Sequence, residues 1–398
     1  MFPSTGAQRL LLIRRTGAAA AAGGTNPLQP KPQPHAARVP YHCCSSTPLA
    51  SPADPDAASY LVASCGLSPA AAAALACRGI RIASTDKADA VLNLLRHHGF
   101  SNAHIAKLLR VVPRLLMLDA DKIIRTKLQF FDTLGVGAPA LAQTNILQRS
   151  LDKCIVPRVE SLRGIVGTGA RLRAAICRKP RAFGWSDFEE RLRLAVESLR
   201  RHGLSEEAIS KLLSLEMGVL SMAPHRIAGI FEDLEALGLP ITDSHFVRCF
   251  ALMCNLKRDT VWRRLALYQS FGLSQSQVAK AFMIQPMIVG ITDGMIQSKL
   301  RFFQDELKIP LSQVIAVPKI LGMSLEKNIL PRCAVLNVLM REEKIQRDIN
   351  LLRPLGLSAK QFYEIYIKKY GKDVPDVVRA YAGEIEFKGI MGQDVEIC

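Results

Sequence analysis

The chain has 398 residues, 49% of them hydrophobic, and a formal net charge of +17, so it holds ample material for a core and a strong bias toward anionic partners. It contains no apolar run of about 18 residues, and the longest bland stretch, Ala70–Ala76, is too short to span a bilayer, so membrane insertion is not expected. Its ten cysteines form no Cys-x-x-Cys and no His cluster completes a tetrahedral zinc set; no metal or other cofactor is expected, and free thiols suit a reducing compartment.

Residues 1–53 stand apart. They carry Arg9, Arg14, Arg15, Lys31 and Arg38 and no acid, with Leu10-Leu-Leu-Ile13 beside the paired arginines and an Ala/Gly/Pro tract after it. That composition predicts an organelle transit peptide, with mitochondrion favoured over chloroplast; a disordered tail without address is the alternative. Removing these five cations leaves +12 of the +17.

From residue 54 to 385 a short step recurs: Gly66-Leu-Ser, Gly99-Phe-Ser, Gly135-Val, Gly203-Leu-Ser, Gly238-Leu-Pro, Gly272-Leu-Ser and Gly356-Leu-Ser, with Gly167 filling the missing place and Lys308-Ile-Pro degrading it. Gly tolerates the left-handed conformation that ends a helix, and the Ser or Pro that follows starts the next. Between steps the apolar spacing is helical, as in Ala88, Val91, Leu92 and Leu95. A second marker follows each step: Pro113-Arg-Leu-Leu, Thr144-Asn-Ile-Leu, Pro180-Arg-Ala-Phe, Met217-Gly-Val-Leu, Pro286-Met-Ile-Val and Pro318-Lys-Ile-Leu. Pro there stops the second helix, and the apolar run after it packs as a brief third segment. Thr144 and Met217 replace the Pro and the unit near Ala251 lacks the marker, so those turns are expected to be looser. Residues 386–398 read as an acidic C-terminal tail.

Two long matches establish the period. Ser150-Leu-Asp-Lys-Cys-Ile-Val-Pro-Arg158 and Ser324-Leu-Glu-Lys-Asn-Ile-Leu-Pro-Arg332 lie 174 residues apart, and Ile123–Phe131 matches Met295–Phe303 at 172. Both are close to five steps of about 35, the signature of a repeat array. One unit cannot bury its apolar faces alone, whereas stacked units can. The expected fold is all-α: a superhelical α-solenoid of about eight to nine helical repeats with no sheet.

In the Pro-x-x-Leu elements at 113 and 318, the Pro-x-x-Phe variant at 180, the Lys127-Leu-Gln-Phe-Phe and Lys299-Leu-Arg-Phe-Phe helices, and the block Pro318–Arg332, the chain resembles the mitochondrial transcription termination factor (mTERF) family, its plant organellar branch in particular. Tyr60–Pro69 and the helix starting at Lys87 share that likeness, which covers about residues 58–385. The resemblance implies a half-ring solenoid with a basic groove that binds organellar DNA or RNA in transcription termination, ribosome assembly or intron splicing.

Charge points the same way. Residues 149–201 hold thirteen Lys or Arg against six acids. The candidate contacts to nucleic acid are Arg114, Arg181 and Lys319 after the first marker, Arg158 and Arg332 after the second Pro, the cluster Arg178-Lys179, and Arg149, Lys153, Lys299 and Lys327 in or beside the long matches. Equivalent positions in a solenoid line up, so a row of cations can follow a phosphate backbone. The same residues could instead cap helix C-termini, where the dipole favours cations; the residues leave both open. Trp185 and Trp262 could stack on bases, but with so few aromatics the core is the better reading.

Two other classes fit less well. A helical-repeat protein scaffold calls for a large apolar concave face. A pentatricopeptide protein shares the period and reads single-stranded RNA, but lacks a Pro-ended second helix. No Walker A loop, Gly-x-Ser-x-Gly or metal-ligand motif supports an enzyme; Gly167-Thr-Gly169 is a fragment in a repeat turn. The expected partners are organellar DNA and/or RNA, with other organelle gene-expression proteins besides, and the chain is expected to act as a monomer.

Overall fold

The structure is a computed structural model that describes residues 55–389 apart from 79, 81 and 83. The described residues all belong to one unit, 50–398. The expected leader and residues 390–398 of the expected tail lie outside the described residues. No strand occurs among the described residues.

Each unit starts on a first helix that ends at a left-handed residue. Gly66, Gly99, Gly135, Gly167, Gly203, Gly238 and Gly272 all have positive φ, and Lys308 (φ 52°) and Glu343 (φ 50°) take that conformation without Gly. The next residue then returns its N–H to the helix: Phe100 to the Leu95 carbonyl at 3.1 Å, Leu204 to Leu199 at 3.1 Å, Leu239 to Leu234 at 2.9 Å. This closes the helix end while burying the apolar residue after the turn. Ser101, Ser205 and Ser274 then cap the second helices Asn102–Val111, Glu206–Leu215 and Gln275–Ile284.

Stacking follows position. Second helices Ala170–Arg178, Glu206–Leu215, Phe246–Cys254, Gln275–Ile284 and Leu311–Ala316 pack each on the next. First helices do likewise, Phe188–Arg201 lying between Val156–Val166 and Pro224–Ala236. Short third segments make their own row: Pro180–Phe183 on Met217–Ser221, and Pro286–Val289 on Ile320–Gly322. One continuous apolar core runs from Leu61 to Leu355.

Three details of the sequence reading are settled by the turns. Thr144 and Met217 do not abolish the third segment, since Ile146–Gln148 and Met217–Ser221 are both short 3-10 helices. Glu216 substitutes for the missing ring constraint by accepting the Gly218 N–H at 2.7 Å. The Gly238 unit has no third segment: Phe246–Cys254 leads directly to Arg258–Gln269. Gly356 belongs to a different place in the repeat. Its φ is −77°, and it follows Leu352–Leu355 as Gly322 closes Ile320–Gly322, while Ser358 caps the next first helix. The left-handed residue of that unit is Glu343.

In five units a buried or half-buried Lys or Arg ties the first helix to the third segment of the same unit. Lys127 Nζ donates to the Leu147 carbonyl at 2.7 Å, Arg158 to Phe183 at 3.0 Å, Arg264 to Val289 at 2.7 Å, Lys299 to Leu321 at 2.7 Å and Arg332 to Leu355 at 2.8 Å. In the Gly238 unit Arg226 reaches the Met253 carbonyl at 3.1 Å and that of Leu256. The acceptors sit at or beside segment C-termini, where carbonyls lack helical partners and the dipole favours positive charge. Burial alone would disfavour the charged form, and it holds Lys127 and Lys299 below the usual lysine range. Replacing Lys299 with Met leaves the Leu321 carbonyl buried without a donor. The expected loss is about 1–3 kcal/mol in chemical denaturation, whereas K327M, at an exposed side chain of the same repeat array, leaves the midpoint unchanged. Equal effects would contradict the tie.

Candidate nucleic-acid interface

The ties remove three candidate residues from the surface. Arg158, Lys299 and Arg332 are 4%, 1% and 2% exposed, and their side chains end on carbonyls inside the unit. Arg332 also lies over the Phe362 ring at 4.8 Å, and Arg158 pairs with Glu189 at 3.1 Å. A side chain so placed cannot reach a phosphate, so for these residues helix capping is the reading that holds. Arg226 and Arg264 do the same work and escaped the sequence reading. Arg264 had a positional signal, since it stands eight residues before Gly272 as Lys127 does before Gly135.

Ion pairs thin the remaining charge. Of the thirteen cations in 149–201, Arg163 pairs with Glu160, Arg171 with Glu207, Arg191 with Asp187, Arg193 with Glu190 and Glu197, Arg200 with Glu206, and Arg201 with Glu197. These are exposed pairs within or between neighbouring helices, and they neutralise the surface more than they stabilise it. Arg149, Lys153, Arg173, Arg178 and Arg181 have no side-chain hydrogen bond or ion pair among the described residues.

Those left unpaired fall at equivalent places. Arg114, Arg181 and Lys319 are each the residue after the marker Pro, exposed beside their third segments. Lys153 and Lys327 are each the third residue after a capping Ser, whose hydroxyl accepts their N–H at 3.3 and 3.2 Å. The cap fixes the first turn, so the lysine side chains leave the helix at one register and both are exposed. Lys122 stands at that register too, its N–H held by Asp119 at 2.8 Å, and it is exposed. It was missed because Asp119 and Asp121 beside it make the segment look acidic. Arg178 ends a second helix two residues before Pro180, and the half-buried Arg149 closes Ile146–Gln148. The edge formed by third segments and the starts of the following first helices thus carries Arg114, Lys122, Arg149, Lys153, Arg178, Arg181, Lys319 and Lys327.

Lys179 is committed elsewhere. It pairs with the buried carboxylate of Glu216 at 3.1 Å and donates to Asn255 Oδ1 at 3.2 Å. Asn255 in turn donates to Glu216. All three precede or replace a third segment in successive units, so this is a brace between units. Trp185 and Trp262 are half-buried against the core; the Arg191 guanidinium lies over Trp185 at 5.3 Å, and Trp262 donates to Asp233 at 3.1 Å.

The thiols have quiet environments. Burial pushes Cys249, Cys254 and Cys333 up to about 12. No group of three or more His, Cys, Asp or Glu is arranged to hold a metal ion among the described residues, and no described helix is long and apolar enough to cross a membrane.

Comparison with known proteins adds the family. The mTERF family profile matches residues 92–240 and 140–363, which together take in most of the repeat array. The chain belongs to the mTERF family. Two mTERF proteins of Arabidopsis thaliana are similar to it. Transcription termination factor MTERF15, mitochondrial, is 23% identical over 292 residues, 72% of this chain and 56% of its own length. Transcription termination factor MTERF8, chloroplastic, is 21% identical over 316 residues, 68% and 61% respectively. The chain therefore spans about six tenths of the relatives it matches. These relatives place it in the plant organellar branch of the mTERF family.

The brace gives a direct check. E216A unpairs Lys179, Asn255 and the Gly218 N–H together, and is expected to lower stability by about 1–3 kcal/mol. K179Q, at the partly exposed end of the pair, is expected to cost less than about 1 kcal/mol. A denaturation series in which K179Q costs as much as E216A would contradict the brace.

Proposed function

We propose that this chain is a non-enzymatic, organellar nucleic-acid-binding protein that regulates organelle gene expression, in transcription termination or its regulation or in intron splicing. The observation that carries the reading is the edge of unpaired cations, repeated at two fixed registers of the unit. A polyanion that runs along stacked units meets a cation at each of several steps, and counterion release then supplies affinity without sequence preference. Both similar relatives are named as transcription termination factors, one mitochondrial and one chloroplastic, which supports an organellar role. The acid-free, Arg-containing stretch 1–53 favours the mitochondrial matrix over the chloroplast stroma. Crosslinking in organelles with sequencing of bound DNA and bound RNA decides between termination and splicing.

Binding itself is testable in vitro. For duplex DNA, the quadruple variant R149Q/K153Q/R178Q/R181Q is expected to flatten the dependence of log affinity on log salt by about 0.9 for each phosphate that is no longer neutralised. R193Q/R201Q, whose side chains already have carboxylate partners, is expected to leave that slope unchanged. Equal flattening by both variants would remove the edge as the interface.

A further inference from the structure

The cation edge is interrupted, and the interruption has its own chemistry. In the unit of the Gly272 turn, Met287 stands after the marker Pro, where Arg114, Arg181 and Lys319 stand in other units. Met295 is the third residue after the capping Thr292, which accepts its N–H at 3.4 Å as Ser150 and Ser324 accept those of Lys153 and Lys327. Ile284 stands two residues before Pro286, where the Gly167 unit has Arg178 and the Gly99 unit an exposed Val111. Both repeated cation registers of the edge therefore carry an apolar side chain in this one unit. None of the three is buried: Ile284, Met287 and Met295 are 43%, 46% and 41% exposed. The Gly99 unit exposes Val111 and Met117 but keeps both cations, Arg114 and Lys122.

Met287 and Met295 flank one bend of the chain. Met287 folds across the bend that leads to the next first helix, its methyl so close that a Cβ on Gly290 would sit 2.9 Å from it. Asp293–Arg301 starts just beyond, and Met295 lies in its first turn. Lys280, Lys319 and Lys327 are exposed and unpaired on the same and the following unit. A partner that lies on this stretch must be anionic at its margins and offer flat apolar faces at its centre. Stacked duplex hides its base faces, whereas an unpaired strand or loop presents them between phosphates. Thioethers are polarisable and adapt to flat ring surfaces.

We propose that Ile284, Met287 and Met295 form a base-contacting patch that receives unpaired nucleobases while the flanking cations hold the phosphates. The proposal deepens the nucleic-acid reading above and rests on it. It assigns the site a preference for segments that contain an unpaired stretch over uninterrupted duplex.

The experiment measures affinity of the full chain across a salt series for a perfect duplex and for the same duplex with an internal unpaired loop. M287S/M295S is expected to weaken binding to the looped ligand by about tenfold, the scale of one base left unstacked, with the salt slope and duplex affinity unchanged. M287K/M295K, which restores the cation register, is expected to steepen the salt slope by about 0.7–0.9 per phosphate newly neutralised and to erase the preference for the loop. Both positions are exposed, so a melting curve matching the parent confirms that the variants fold. Equal loss on both ligands, no loss on either, or an effect confined to binding of a protein partner would overturn the proposal. The R149Q/K153Q/R178Q/R181Q slope is read beside them: if it flattens while the Met variants do nothing, the patch fails and the cation edge stands; if it does not flatten, the edge itself fails.

Discussion

The unit depends on a charge placed inside it. A Lys or Arg on the first helix reaches across to a carbonyl at the end of the third segment in five units, those of Lys127, Arg158, Arg264, Lys299 and Arg332. Those carbonyls lack intrahelical partners and lie in the core, where water cannot reach them, so each needs a donor. A long cationic side chain supplies one and meets the negative end of the segment dipole at the same time. The third segment then has a fixed place against the first helix, and its own apolar residues complete the core. Where the segment is missing, Arg226 still finds the terminal carbonyls of the second helix, so the interaction survives loss of the element it usually holds.

This division of labour explains why so basic a chain presents a selective surface. Cations serve three ends here: burial in ties, neutralisation in exposed pairs along the first helices, and display along one edge. The last group recurs at fixed registers of the unit. Because the capping hydroxyl of Ser150 or Ser324 fixes the first turn, the displayed lysine emerges at the same register each time. The period that stacks the core therefore also spaces the charges, and an exchange such as Met287 for a cation changes the chemistry of one step without disturbing the stack.

Much of the fold was legible in the sequence because Gly and Pro act locally. A left-handed turn followed by a buried apolar residue and a Ser cap leaves a readable trace at Gly99, Gly203 and Gly272. Gly356 misled for the same reason: its Leu-Ser sequel matches the step, but its place is set by the preceding third segment, which local sequence does not show. The site was less legible. Lys153 and Arg158 lie five residues apart in one matched segment, about 140° around an ideal helix, so one faces solvent and the other the core. The widened first turn at Leu151–Ile155, where Pro157 can offer no N–H, shifts that phase further. The ties, and some of the pairs, depend on groups 20 to 36 residues away, such as Leu147 for Lys127 and Glu207 for Arg171.

The central claim is that identical residue types are sorted by the fold into inner ties and outer contacts. Lysine acetylation read by mass spectrometry, on the folded chain with and without bound nucleic acid, measures that sorting in one experiment. Lys153, Lys319 and Lys327 are expected to react quickly in the free protein and to be protected by the ligand, while Lys127 and Lys299 stay unmodified in both states until the chain unfolds. Rapid modification of Lys299 in the folded protein, or protection of Lys127 and Lys299 that appears only with ligand, would contradict the account.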